Sequence, residues 1–137
     1  MFFTGVSRSA DAIEKLKVAR FADKTAQLRS IYQMVDEGER ILLDLKRPIS
    51  EFGQLLHRAW TEKRHLDESV SNEFIDQSYN AALAAGALGG KLLGAGGGGF
   101  LLMFAPPEKH EAVKAALAKL PVVPFKMERQ GSTVVLY

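Results

Sequence analysis

Five of the six residues 94–99 are glycine, in the order GAGGGG, and the run sits between apolar flanks, Leu92 and Leu93 before it and FLLMF after it. No other segment constrains the fold as tightly. Glycine is costly to order and contributes no packing, so four in a row serve either flexibility or a very close backbone approach. A flexible tether is bordered by polar, low-complexity sequence. Both flanks here are stiff and apolar, so the run reads as an ordered loop.

The 137 residues suit one domain with a real core, and a single domain over 1–137 is expected. Hydrophobic residues make up 47% and charged residues 25%, as in ordinary globular domains. A net charge of +2 leaves no electrostatic footprint for nucleic acid. The absence of cysteine rules out a disulfide framework and a thiolate metal site, and is compatible with a cytoplasmic setting. No apolar run approaches the roughly 20 residues that span a bilayer, and the opening MFFTG lacks the basic and apolar regions of a signal peptide.

Residues 2–6 read as a short strand. From Ser7 or Ser9, either a plausible N-cap, a helical pattern begins with Ala12, Ile13, Leu16 and Ala19 on one face. Leu28, Ile31, Tyr32, Val35, Leu42 and Leu45 continue it inward, with Gly38 as the one possible break. Pro48 and Ser50 open a second helix that buries Ile49, Phe52, Leu55, Leu56, Ala59 and Trp60. After the polar turn Asp67, Glu68, Ser69, a third helix is expected with Ser71 as cap, Glu73 and Asp76 in its first turn, and small residues through 81–90. Residues 100–105 read as a strand. Pro106 and Pro107 start a helix facing inward through Val113, Ala116, Leu117 and Leu120. Residues 122–128 alternate, residues 129–132 turn, and residues 133–137 return as a strand. The mixture predicts an α+β fold, a ferredoxin-like antiparallel sheet with several helices.

The literal pattern G-x-G-x-x-G fits residues 94–99, but a dinucleotide fingerprint follows a strand and opens a helix. These glycines lead into a strand, so that reading fails. A Walker A loop needs Ser or Thr after its lysine, whereas Leu92 follows Lys91. A protein-kinase glycine loop needs H-R-D and D-F-G companions, which do not occur. A tight structural turn remains one reading of Gly94, Ala95, Gly96, Gly97, Gly98 and Gly99. The other, favoured by four consecutive glycines and Lys91 nearby, is a nest of backbone N–H groups for an anion.

The stretch GALGGKLLGAGGGGFLLMF resembles the third conserved motif of the GHMP kinases, with lysine, glycine core and apolar strand in the family's order. FFTGVSRSA, SNEFIDQSYNAALAAGALGGK and the closing PFKMERQGSTVVLY are similar to the sugar-1-kinase branch, the heptose-phosphate kinases and the kinase part of fucokinases. The resemblance covers nearly all the chain but only the C-terminal domain of such an enzyme. It implies ATP and Mg²⁺ as cofactors in the complete enzyme, and a sugar or sugar-phosphate substrate, phosphorylated at a hydroxyl expected to be anomeric. It also implies an N-terminal kinase domain with a P-x-x-x-G-L-G-S-S type loop and a catalytic aspartate, neither of which occurs here, so the chain is expected to be a fragment inactive alone.

Arg8 could reach a substrate phosphate, or be an exposed arginine at a helix start. Lys91 could neutralise phosphate charge, or pair with a carboxylate such as Asp76. His57, His65 and His110 have no metal-ligand spacing and are expected on solvated helix faces; no metal site is expected. Two other functions stay open: a non-catalytic α+β module binding a small anion, and an assembly domain, including a homo-oligomer, whose glycines pack against another chain.

Overall fold

The computed structural model describes residues 1–5, 21–94, 96–127, 131 and 133, with Phe21 and Ala22 described by backbone alone. Among these residues the sheet has three antiparallel strands in the order β1, β3, β2, comprising β1 (Phe2–Phe3), β2 (Gly89–Leu93) and β3 (Phe100–Phe104). Among the described residues the α-helices are α1 (Thr25–Leu43), α2 (Ser50–Leu66), α3 (Glu73–Ala84) and α4 (His110–Ala116). The fold is α+β, as expected. The expected N-terminal part of the first helix, including Ser7, Ser9 and Ala12 to Ala19, and the closing strand's residues 134–137 lie outside the described residues.

The apolar pattern of the third helix continues smoothly into the glycines, yet α3 stops at Ala84 and β2 takes up Gly89 and Gly90. The stop is a Schellman motif. Gly86 adopts φ +103, its N–H donates to the Leu83 carbonyl at 2.9 Å, and the Ala87 N–H donates to that of Ala82 at 3.0 Å. Beyond it, Gly89 makes room for α2: a Cβ there would lie 2.1 Å from the Gly53 carbonyl oxygen. At Gly90 the close neighbour is β3, where a Cβ would lie 2.2 Å from the Leu102 carbonyl oxygen, so both glycines serve close backbone approach.

The start of α3 also differs from expectation. Its N-cap is Asn72, whose Oδ1 accepts the Ile75 N–H at 3.0 Å, while Ser71 instead donates to Asp76 at 2.6 Å. Glu73 and Asp76 do occupy the first turn.

The core lies between the sheet and α3, α4 and the Trp60 region of α2, built by Phe2, Trp60, Val70, Ile75, Tyr79, Ala82, Leu92, Leu101, Val113 and Leu117. Leu120 is buried with them, but Ala116 is exposed. The buried Trp60 indole N–H has no partner among the described residues. On α1 only Gly38 and Ile41 are buried. Tyr32, Val35, Leu42 and Leu45, expected inward, are exposed, as is Ile49. Gly38 does not break the helix; it lets Leu55 approach to 3.3 Å of where a Cβ would stand. The result is an open apolar groove of about 630 Å³ between α1 and α2, lined by Ile31, Met34, Val35, Leu42, Leu43 and Phe52 among others. After Leu120 the alternating segment forms one isolated bridge, Val122 to Phe2, rather than a further ladder, and Phe125 and Met127 are exposed.

Candidate functional site

The glycines connect β2 to β3, which pair from Gly89↔Phe104 to Leu93↔Phe100, so residues 94–99 close a hairpin. Gly94, Gly96, Gly97 and Gly99 all have positive φ, between +70 and +116, a region L side chains rarely adopt. Gly96, Gly97 and Gly98 are buried. At Gly96 the backbone is packed at very short range: a Cβ there would lie 2.9 Å from the Val70 Cα and 3.0 Å from the Ser69 carbonyl oxygen.

Two segments remote in sequence grip the loop. Thr4 is buried, and its Oγ1 both donates to the Gly99 carbonyl at 2.8 Å and accepts the Gly99 N–H at 2.9 Å. The Thr4 N–H adds a third bond to the same carbonyl at 2.9 Å. On the other side, the Gly97 N–H donates to the Val70 carbonyl at 3.1 Å, and Asn72 Nδ2 donates to the Gly97 carbonyl at 3.0 Å. Gly97 and Gly99 thus turn their N–H groups into the protein. Among the described residues no bond engages the N–H of Gly96 or Gly98. A buried backbone N–H is rarely left unpaired, so these two donors are where an anion would gain most.

Lys91 lies on β2, half-buried, on the strand face opposite the core-facing Leu92. It does not pair with Asp76, which is held by Arg64 at 2.9 Å and by Ser71. Arg8 and Ala95 lie outside the described residues. Below β2, Tyr79 stacks on His57 with ring centroids 5.9 Å apart, and its hydroxyl lies 3.0 Å from His57 Nδ1. Burial pushes the Tyr79 phenol up to about 12, against smaller opposing effects of the Gly90 backbone and Arg64. His57 is therefore a packed ring rather than a solvated one, whereas His65 and His110 are exposed. Among the described residues no cluster of His, Asp or Glu could hold a metal.

Sequence reasoning singled out the loop and the lysine as candidates and passed over Thr4 and Asn72, which grip the loop. A cap signal was readable at Asn72, an Asn just ahead of acidic residues. Nothing in the sequence ties either residue to glycines 25 or 95 positions away.

The family described as GHMP kinases C terminal matches residues 42–122, more than half of the chain. The chain belongs to the GHMP kinases. It is 32% identical over 122 residues to the D-glycero-alpha-D-manno-heptose 7-phosphate kinase of Campylobacter jejuni, covering 87% of this chain and 35% of that protein. It is 30% identical over 107 residues to the bifunctional fucokinase/GDP-fucose pyrophosphorylase of Arabidopsis thaliana, covering 75% of this chain and 10% of that protein. It is also 33% identical over 92 residues to the mevalonate kinase of Pyrococcus horikoshii, covering 64% of this chain and 27% of that protein. The structure of L. major mevalonate kinase in complex with R-mevalonate superposes with a TM-score of 0.72 at 23% identity, covering 86% of this chain and 36% of that one. The chain thus spans about a third of the heptose 7-phosphate kinase, and the likeness to the L. major enzyme is one of fold.

Proposed function

We propose that this GHMP kinase domain is the C-terminal part of an ATP-dependent sugar kinase, with a heptose phosphate as substrate and the anomeric hydroxyl as acceptor. The similarity to heptose 7-phosphate kinase and fucokinase supports the substrate class. The observation that carries the reading is the alternation around the loop: the N–H groups of Gly97 and Gly99 are consumed by the protein, while those of Gly96 and Gly98 meet no acceptor among the described residues.

Phosphoryl transfer asks a protein for positioning and charge stabilisation more than for covalent chemistry. The rigid loop offers backbone donors for oxygens of the transferred phosphoryl group or of the sugar phosphate. Lys91, and in this reading Arg8, add positive charge. ATP supplies the phosphoryl group and Mg²⁺ offsets its charge; the described residues provide no ligand set for the metal, which this reading places with the nucleotide and the N-terminal domain. In this reading the enzyme is cytoplasmic.

The test is a coupled assay on the full-length protein carrying this chain, with ATP and Mg²⁺ and with heptose 7-phosphate, fucose or mevalonate as acceptor. Turnover with the heptose phosphate, with phosphorus NMR placing the new group on the anomeric oxygen, supports the proposal. Turnover with mevalonate alone, or phosphate binding without turnover of any acceptor, overturns it; the latter outcome favours a non-catalytic anion-binding module. The isolated 137-residue chain is expected to show no turnover.

A further inference from the structure

We propose that Asn72 is a positioning residue for the glycine loop, setting the direction in which the Gly98 N–H points. The inference rests on the proposed function for its catalytic consequence, though not for its structural one. Asn72 uses both ends of its side chain: Oδ1 accepts the Ile75 N–H and caps α3, while Nδ2 donates to the Gly97 carbonyl, each at 3.0 Å. Among the capping residues, Asn alone presents an acceptor and an amide donor side by side. Asp caps a helix as well as Asn does, and Ser nearly so. Neither can offer an amide to Gly97.

The second bond has a geometric consequence. The peptide joining Gly97 to Gly98 is planar, and no cis peptide occurs among the described residues, so its carbonyl and its N–H point in opposite directions. Holding the Gly97 carbonyl against Asn72 therefore turns the Gly98 N–H away from α3. Glycine imposes little steric preference of its own. Without the clamp, the Gly97–Gly98 peptide is free to rotate and the Gly98 donor loses its fixed direction. Three neighbours, Ser69, Val70 and Asn72, hold this part of the loop, and among the described residues only Asn72 does so through a side-chain hydrogen bond.

The experiment compares Asn72→Asp and Asn72→Ser, both competent caps, with Asn72→Ala, which loses cap and clamp together. In the full-length enzyme, the first two variants are expected to keep the melting temperature within about 2 °C. Their kcat is expected to fall by about tenfold or more, as small misplacements of reacting groups do, with KM for the acceptor changed less than threefold. In the 137-residue chain, amide exchange at Gly98, the N–H of the peptide that Asn72 holds, is expected to accelerate at least tenfold in both cap-competent variants. Wild-type exchange at Gly98 in either one, at unchanged melting temperature, would show that Asn72 serves α3 alone and would overturn the proposal. Faster exchange with kcat unchanged would also overturn it, because the clamp would then not matter to chemistry. If the wild-type enzyme phosphorylates no sugar, the proposed function fails while the exchange measurement still decides whether Asn72 sets the loop.

Discussion

Thr4 and Gly99 are joined by three hydrogen bonds across a sequence separation of 95 residues. The pair extends the β1–β3 ladder by one position, with the threonine hydroxyl taking the place of a backbone carbonyl as acceptor. It anchors the C-terminal end of the glycine loop to the first strand. Thr4→Val keeps the shape but strands the Gly99 N–H, which costs about 1–3 kcal/mol when a buried group is left unsatisfied. Urea unfolding followed through the fluorescence of the single tryptophan, Trp60, should show that loss, and Thr4→Ser should recover at least half of it.

Gly53 and Gly89 set a second distance. With the Gly53 carbonyl oxygen 2.1 Å and the His57 nitrogen 2.7 Å from a Cβ on Gly89, the obstacle is backbone, which cannot rotate aside. Gly89→Ala should cost more than about 3 kcal/mol, above the usual range for overpacking. Gly94→Ala is the comparison: its φ is +103 but nothing lies within 4 Å, so only backbone strain of about 1–2 kcal/mol is expected. Thermal melts of the two variants should differ in that order.

Tyr79 makes stability depend on alkaline pH. Its phenol is pushed up to about 12 in the folded chain from an ordinary value of 10.0. Below pH 10 both states keep the proton, and the contribution of the buried phenol is intact. Between pH 10 and about 12 the unfolded chain releases its proton first, so stability falls as pH rises. Urea midpoints measured from pH 9 to 11.5 should decline in the wild type and decline less in Tyr79→Phe.

The groove between α1 and α2 should bind an apolar dye. Val35 is 64% exposed and Leu43 73% exposed, so Val35→Lys and Leu43→Lys remove apolar lining at little cost in stability, within about 0.5 kcal/mol. The fluorescence of bound anilinonaphthalene sulfonate should fall by half or more in the double variant, at an unchanged melting temperature. Unchanged dye binding would place the apolar surface elsewhere.

Much of the local structure could be read from the order of residues. The glycine run between apolar flanks announced an ordered loop, and Pro48, the polar turn at Asp67 and the two prolines at 106 and 107 marked where helices begin. These signals are local: dihedral preference, capping chemistry and 3.6-residue periodicity act within a turn or two of chain. Periodicity also identified apolar faces on α1, but not what they face, and Tyr32, Val35, Leu42 and Leu45 turned out to be exposed. An amphipathic stripe states that a surface is apolar without stating which partner covers it.

By itself, then, the sequence determined the α+β class, the family and the identity of the glycine loop, because each is written in contiguous residues. Only the tertiary structure decided that Gly89 and Gly90 belong to a strand, since α2 passes within contact of the backbone at Gly89 and β3 does so at Gly90. It also decided which loop N–H groups are spent within the protein. That choice depends on Thr4, Val70 and Asn72 arriving from distant segments, and hydrogen bonds over 25 to 95 residues leave no periodic or compositional trace. Directional bonds between remote segments exist only once the core has brought those segments together.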